Sequence, residues 1–329
     1  MRFGPVPPSQ AAGAILAHSI ELNGTKLRKG VMLDAGHVAA MQAAGMGTVT
    51  VARLDPDDLH EDEAAHRLAK ALVPDPQGMR LTKPFTGRVN VLAEGPGLAI
   101  LDESRLAAAN EVHPMITVAT VQPYQQMGPR GMIATVKIIS YGVPESDLTQ
   151  ACTLAHGAIR FAPPVLRSAT LIVTEIPGGA GEKGAAATQT RLEALGVSLE
   201  SIRTVPHQET ALAEAISQAE TDLILILTGS ATSDPMDVAP QALRHAGGRV
   251  ERFGMPVDPG NLLFLGSLGD RPVIGLPGCA RSPALNGADW VLSRVVCGIP
   301  VTGHDIARMG IGGLLKEIPT RPMPRRGGR

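Results

Sequence analysis

The sequence predicts an α/β protein with a three-layer domain on a mainly parallel sheet, preceded by a mixed, β-rich α+β region. The second half alternates short apolar segments with helical ones of crossover length, and a proline pair at 163–164 separates it from a half rich in Val, Ile and Thr. We therefore expect a β-rich domain over 1–162, the three-layer α/β domain over 163–303, and a C-terminal extension over 304–329.

The first half of the chain predicts strands and helices in mixed order. Segments rich in Val, Ile and Thr and bounded by Gly or Pro predict strands at 49–52, 89–93, 115–121 and 132–140. Apolar residues three and four positions apart predict helices at 57–72 and 104–110. Three prolines between residues 73 and 84 indicate a loop there.

The second half predicts a regular alternation of strands and helices. Apolar runs predict strands at 169–175, 201–205, 222–228, 250–253, 262–268 and 272–276. Amphipathic spacing and glycine stop signals predict helices at 188–195, 209–219, 238–246 and 283–296. This alternation favours a parallel sheet with helices on both faces, in which ligands bind beyond the carboxyl ends of the strands.

Composition excludes several classes of function. The 329 residues contain 30 Lys and Arg against 31 Asp and Glu, so the net charge of -1 gives no broad electrostatic reason to bind nucleic acid or a membrane surface. Five Phe, two Tyr and one Trp give little surface for stacking bases. The three widely spaced cysteines predict neither a disulfide framework nor a zinc site. With no secretion signal or membrane-length apolar run, we expect a cytoplasmic protein.

The loop after the first strand of the second half is rich in glycine. Its sequence is Ile-Pro-Gly-Gly-Ala-Gly-Glu-Lys-Gly over 176–184. Backbone N–H groups at Gly178 and Gly179 could approach an anion closely, and Lys183 could add a charge. The loop is neither a Walker A loop nor a dinucleotide fingerprint, and a flexible turn explains it equally well.

The second loop follows the most apolar predicted strand. Thr228-Gly-Ser-Ala-Thr-Ser-Asp-Pro-Met-Asp237 places small hydroxyl residues and two carboxylates at the strand end. Hydroxyl groups of this kind bind phosphate oxygens, and Asp234 or Asp237 could hold a hard cation such as Mg²⁺. Capping of the following helix by Asp237 is an equally good interpretation, and the two roles are compatible.

The third loop lies between the last predicted strand and the final helix. Gly-Leu-Pro-Gly-Cys-Ala-Arg-Ser over 275–282 offers backbone donors near a positive helix start. Arg281 and Ser282 would supplement these donors.

These loops, in this order, resemble the molybdopterin-binding domain of the gephyrin-related molybdopterin molybdotransferases and adenylyltransferases. Thr228-Gly229 with Asp237 and Val-x-Pro-x-Ala-Leu is similar to the adenylyltransferase stretch T-G-G…P-R-D-V-T-P-E-A-L. Residues 257–261 and 275–282 look like the molybdotransferase elements K-P-G-K and G-L-P-G-N-P-x-S. The resemblance covers about residues 165 to 300. Upstream it is thinner, and there the chain looks like the opening of the molybdotransferases.

The sequence also departs from the pattern of this family. Ser230 stands where the family has the second glycine of T-G-G, Met236 replaces the arginine before the aspartate, and Cys279 replaces an asparagine. The D-S-N motif of the first loop has no counterpart here. Because these changes touch the contacts to nucleotide and pterin, binding is better supported than turnover.

The resemblance implies molybdenum cofactor biosynthesis: binding of molybdopterin or adenylyl-molybdopterin, with Mg²⁺, and transferase chemistry that inserts molybdate. It implies catalytic roles for Asp237, also the metal ligand, and Asp234. The implied cofactor-binding residues are Thr228, Gly229, Ser230, Thr232, Ser233, Gly178, Gly179, Lys183, Pro277, Gly278, Arg281 and Ser282. It also implies a homo-oligomer and a nucleotidyltransferase domain or partner.

Two alternatives to this enzyme remain open. The altered motifs favour a non-catalytic carrier or chaperone, which would hand the pterin to a nucleotidyltransferase or a molybdoenzyme. A nucleotide hydrolase like the competence-damage proteins, which carry a related domain, is the third hypothesis.

Overall fold

The chain forms two compact units in a computed structural model that describes residues 1–22, 24–178 and 184–315. The first unit comprises residues 1–95 and 99–161, and the second comprises residues 96–98 and the chain from Ala162 onward. The division along the chain therefore falls immediately before the proline pair.

The part of the chain before the proline pair is rich in short strands. The strands are β1 (Arg2–Val6), β2 (Ile15–Leu16), β3 (Ile20–Leu22), β4 (Thr25–Leu27), β5 (Val49–Arg53), β6 (Asp58–His60), β7 (Met79–Leu81), β8 (Arg88–Ala93), β9 (Gly97–Leu101), β10 (Ile116–Thr120), β11 (Gln126–Met127), β12 (Met132–Ile138), β13 (Gly142–Pro144) and β14 (Ile159–Ala162). The helices are α1 (Ala35–Ala43), α2 (Glu61–Leu72), α3 (Glu103–Val112) and α4 (Glu145–Ala155).

The core of this first unit lies between a four-stranded sheet and three helices. The sheet has the order β10-β12-β8-β7; helix α2 packs on β8 and β12, α3 packs on β10, and α4 packs on both helices. Alternate residues of β8 and β12, such as Val89, Val91 and Val136, are fully buried against the helices. The alternation in the sequence thus reflects one buried face, as expected for antiparallel strands.

Two predictions for this half are wrong in part. The helix predicted from residue 57 begins at Glu61, because Asp58–His60 pairs with β13 and the His60 ring nitrogen accepts the Asp62 N–H at 3.3 Å as the helix cap. The loop predicted over 73–84 contains β7, which pairs with β8 although prolines flank it. The four predicted strands and the predicted helix at 104–110 are confirmed with small shifts of their ends.

The second unit is built on one six-stranded sheet. Its strands are β15 (Ser168–Glu175), β16 (Ser198–Pro206), β17 (Leu223–Leu227), β18 (Arg249–Phe253), β19 (Phe264–Leu268) and β20 (Arg271–Leu276). Its helices are α5 (Ala185–Glu193), α6 (Glu209–Ser217), α7 (Val238–His245), α8 (Gly287–Val296) and α9 (Gly303–Arg308). The sheet order is β16-β15-β17-β20-β19-β18, with only β19 running against its neighbours.

Helices cover both faces of this sheet, which confirms the predicted three-layer α/β fold. Leu171, Leu225 and Ile274 share one buried cluster with residues of α5 and α8, and Ile172 and Ile224 share another with residues of α6 and α7. Every residue of β17 is buried. Burial on both faces explains why these strands are continuous apolar runs rather than alternating ones.

One helix of the second unit begins later than predicted. The final helix was predicted from residue 283, but α8 begins at Gly287, where Asn286 caps it by accepting the Ala288 N–H at 2.9 Å. Residues Gly278–Arg281 form a separate 3₁₀ turn. The third loop therefore has more irregular backbone than the sequence predicts.

Gly275 in β20 provides a test of the packing between β20 and β19. A Cβ at this position would overlap the ring of Phe264, which is 1% exposed, so the ring must move to admit a methyl group. We expect Gly275→Ala to lower the free energy of unfolding by about 1–3 kcal/mol in denaturant titrations. Gly278→Ala is the control, since its Cβ would meet no atom within 4 Å. Equal stability of the two variants would contradict the packing described here.

Candidate functional site

The loops of interest meet at one edge of the six-stranded sheet. In the parallel register Val173 lies beside Leu227, and Leu227 lies beside Leu276, so β15, β17 and β20 end together. Glu175 pairs with Pro206, which brings the end of β16 to the same edge. This carboxyl edge is where open α/β sheets bind their ligands.

The second loop is held tightly against the end of β15. The Gly229 N–H donates to Thr174 Oγ1 at 2.9 Å, and a Cβ on Gly229 would lie 2.7 Å from the Thr174 carbonyl oxygen. Only glycine fits such a close approach of two backbones. Thr228 Oγ1 donates to the Ser230 carbonyl at 2.6 Å and lies 3.3 Å from Thr232 Oγ1. Both threonines are buried, so these hydroxyl groups shape the loop.

Asp237 closes the second loop and caps α7. Its Oδ1 accepts the Val238 N–H at 2.7 Å, and its Oδ2 accepts the Ser233 N–H at 3.0 Å. Asp234 is exposed, and its Oδ1 accepts the Met236 N–H at 2.7 Å. Each carboxylate oxygen keeps a free lone pair, so capping leaves these groups able to accept a cation. Within the described ranges, no group of three or more His, Cys, Asp or Glu side chains is arranged to hold a metal.

Arg281 in the third loop is a half-buried cation that contacts the second loop. Its Nη2 donates to the Thr228 carbonyl at 2.7 Å. Its Nη1 is buried and has no hydrogen-bond partner in the described structure. Burial lowers the pKa of Arg281 from its ordinary value, and no carboxylate among the described residues forms a salt bridge with it. The guanidinium therefore retains an unused donor at this edge of the sheet.

The start of α5 leaves room for Arg281. Gly184 has a φ of +105°, and a Cβ there would lie 2.8 Å from both the Cα and the Cγ of Arg281. Glycine is thus required here by conformation and by space. In the first loop Gly178 is exposed. In the third loop Gly278 and Ser282 are exposed, and Pro277 is buried. The predicted site residues Gly179 and Lys183 lie outside the described residues.

Arg191 on α5 holds the third loop in place, a role that the sequence analysis missed. Its Nη1 donates to the Ala280 carbonyl at 2.8 Å, and its Nη2 donates to the Ser282 carbonyl at 2.7 Å. Its Nε pairs with Asp289 Oδ1 at 2.5 Å, and both side chains are mostly buried. Asp289 also accepts the Asn286 N–H at 2.8 Å, so one ion pair supports the loop and the start of α8 together.

His207 is a second residue that the sequence analysis missed. It follows β16 directly, and its ring bridges Thr174 and Ser230 with contacts of 2.8 and 3.1 Å. A histidine after a predicted strand at the carboxyl edge was the available sequence indication. Beside it, a cavity of about 380 Å³ is lined by Glu175, Ile176, Pro177, Thr204, Val205 and Pro206.

Family comparisons match two parts of the chain. Residues 172–295 match the family described as "Probable molybdopterin binding domain", and residues 5–53 match "Domain of unknown function (DUF8806)". The first match contains all three loops. No curated protein matches the chain. In the part of the chain that the structure describes, no helix is both long and apolar enough to cross a membrane.

Solved structures resemble the chain only distantly. The molybdopterin biosynthesis MoeA protein of Pyrococcus horikoshii is 14% identical, with 92% of this chain and 76% of that chain covered and a TM-score of 0.33. The CinA protein of Thermoplasma acidophilum is 19% identical, with 35% of this chain and 90% of that chain covered and a TM-score of 0.27. The MoaB enzyme of Thermus thermophilus is 17% identical, with 46% of this chain and 100% of that chain covered and a TM-score of 0.28. Such low scores carry no argument about function.

Arg191 offers a test of how the third loop is supported. Removing one partner of a mostly buried ion pair leaves the other charge unpaired, so we expect Arg191→Met to lower the free energy of unfolding by about 3–5 kcal/mol. Amide exchange in residues 278–284 should rise as well. Arg203→Met is the control, because the Arg203 side chain hydrogen-bonds only to Gln218 among the described residues. Unchanged exchange in this loop would show that Arg191 does not hold it.

Proposed function

We propose that this chain, whose residues 172–295 match the family described as "Probable molybdopterin binding domain", binds molybdopterin or its adenylylated form and assists molybdate insertion. The observation that carries the proposal is the Arg281 guanidinium. It has no acidic partner in the described structure, burial lowers its pKa, and its buried Nη1 has no hydrogen-bond partner there. A phosphate group would satisfy this donor with a charge-assisted hydrogen bond.

The surrounding loops suit the phosphate or adenylyl part of such a ligand. Gly278 and Ser282 are exposed beside Arg281, and Gly178 and Ser230 belong to the neighbouring loops at the same edge. Thr228, Thr232 and Pro277 are buried and would act by keeping these loops in shape. Gly229 sets the loop position, Ser233 exposes a hydroxyl group, and Gly179 with Lys183 completes the proposed set. Positioning by many fixed donors is the main requirement of phosphoryl and adenylyl chemistry.

Asp237, aided by Asp234, would hold Mg²⁺ in this proposal. Magnesium is commonly bound by one or two carboxylates, with phosphate oxygens and waters completing its shell, so a cage of three protein ligands is not required. The free lone pairs of Asp237 and the exposed Asp234 carboxylate fit this mode of binding. Bound magnesium supplies charge neutralisation of the phosphate oxygens.

A non-catalytic carrier is the second candidate function. Both carboxylate oxygens of Asp237 already accept backbone N–H groups, so a purely structural role accounts for this residue. A carrier would bind the pterin and pass it to a nucleotidyltransferase, either a partner or a further domain. Both candidates include a homo-oligomeric protein in the cytoplasm.

Retention of the pterin tests the binding proposal. Wild-type protein incubated with molybdopterin should retain a pterin that becomes fluorescent after extraction and oxidation. Arg281→Ala should weaken binding by roughly ten- to a hundredfold, as expected for a lost charge-assisted hydrogen bond of about 1.5–3 kcal/mol. Arg203→Ala, on the edge strand β16, is the matched control and should bind like wild type. Failure of the wild type to retain pterin would remove both candidate functions.

A variant of Asp237 distinguishes the enzyme hypothesis from the carrier hypothesis. Asp237→Asn keeps one oxygen that can cap α7, loses one of the two backbone N–H contacts, and removes the negative charge. An enzyme should therefore lose hydrolysis of adenylyl-molybdopterin in the presence of magnesium and molybdate while it stays folded. Circular dichroism and pterin retention check the fold and the binding. A wild-type protein that binds the pterin without any turnover supports the carrier.

A further inference from the structure

Three side chains link the ends of three neighbouring strands in the second unit. Thr174 belongs to β15, His207 follows β16, and Ser230 follows β17. Thr174 Oγ1 lies 2.8 Å from His207 Nδ1, and Ser230 Oγ lies 3.1 Å from His207 Nε2. The imidazole therefore bridges two hydroxyl groups.

The protons of this bridge follow from the environment of Thr174. Its side chain is 0% exposed, and its Oγ1 accepts the Gly229 N–H at 2.9 Å. A buried hydroxyl group requires an acceptor for its own proton, and His207 Nδ1 is the acceptor that the described structure provides. Thr174 therefore donates to Nδ1, and Nδ1 carries no proton. A neutral imidazole then has its proton on Nε2, from which it donates to Ser230 Oγ.

We infer that His207 is a positioning residue that holds Ser230 as a hydrogen-bond donor toward an anionic ligand oxygen. Because Ser230 Oγ accepts from His207, its own O–H proton is not used in this contact. The ligand class is a phosphate or phosphate ester. This role for Ser230 rests on the proposed function, whereas the proton arrangement of His207 does not.

This arrangement opposes a nucleophilic role for Ser230. A nucleophile requires His207 Nε2 to accept the serine proton, so the ring proton would have to lie on Nδ1. Nδ1–H would face the Thr174 hydroxyl group, and that buried group would lose the acceptor for its own proton. The network therefore favours a fixed donor at the position where the resembling adenylyltransferases carry the second glycine of T-G-G.

The ¹⁵N resonances of the His207 ring test the proton arrangement directly. In wild-type protein at neutral pH and without ligand, we expect a protonated Nε2 and an unprotonated Nδ1. Thr174→Val removes the donor to Nδ1 and should abolish this preference. A ring protonated on Nδ1, or labelling of Ser230 by a fluorophosphonate probe, would overturn the inference in favour of a nucleophile and base.

Titration with inorganic phosphate tests the role of Ser230. Ser230→Ala should weaken phosphate binding about tenfold, and His207→Leu should weaken it similarly because the serine loses its orientation. The double variant should be no weaker than either single one, since the two residues act as a unit. His207→Gln, which keeps an N–H donor, should restore part of the affinity. Ser217→Ala on α6 is the control for removal of a serine hydroxyl group elsewhere.

The outcomes separate this inference from the proposed function. If phosphate binding and the histidine tautomer agree with expectation but molybdopterin is not retained, the proposed function is wrong and the roles of His207 and Ser230 are supported. If molybdopterin is retained but His207→Leu leaves phosphate affinity unchanged while Ser230→Ala weakens it, the positioning role of His207 is wrong.

Discussion

The parallel register of β15, β17 and β20 is the constraint on which the candidate site depends. Val173, Leu227 and Leu276 lie side by side, so the loops that follow these strands leave the sheet at one edge. Arg281 and Thr228, which are 53 residues apart in the sequence, are in contact there. Each of these strands packs against helices on both faces, so its side chains are fitted to two different helix layers. A slip by one residue would exchange the two faces and separate the loops.

Buried polar contacts then fix the loops on this frame. Gly229 lies against β15, Arg191 holds the carbonyl groups of the third loop, and Asp237 joins the end of the second loop to α7. The charge of Arg191 is paired with Asp289, whereas Arg281 has no such partner in the described structure. Arg191 therefore supports the loop, and Arg281 is the arginine left with a donor for an anion.

The sequence was most informative where one physical cause acts alone. The apolar run of β17 predicted a buried strand, and Asp237 before a helical pattern predicted a cap. It was less informative where two causes compete: Pro283 suggested a helix start, but Asn286 caps the helix that forms, and prolines around 73–84 concealed β7. The position of His207 after a predicted strand was an indication, but the roles of His207 and Arg191 could not be predicted, because they depend on partners 23 to 98 positions away.

The fit of Gly229 against the Thr174 backbone also bears on the thermodynamics of recognition. A loop whose backbone is already immobilised loses little conformational entropy when a ligand binds. A larger part of the free energy of each new contact therefore contributes to the affinity. Binding at this edge should therefore approach rigid-body association, with the free and occupied forms of the second loop nearly superimposable.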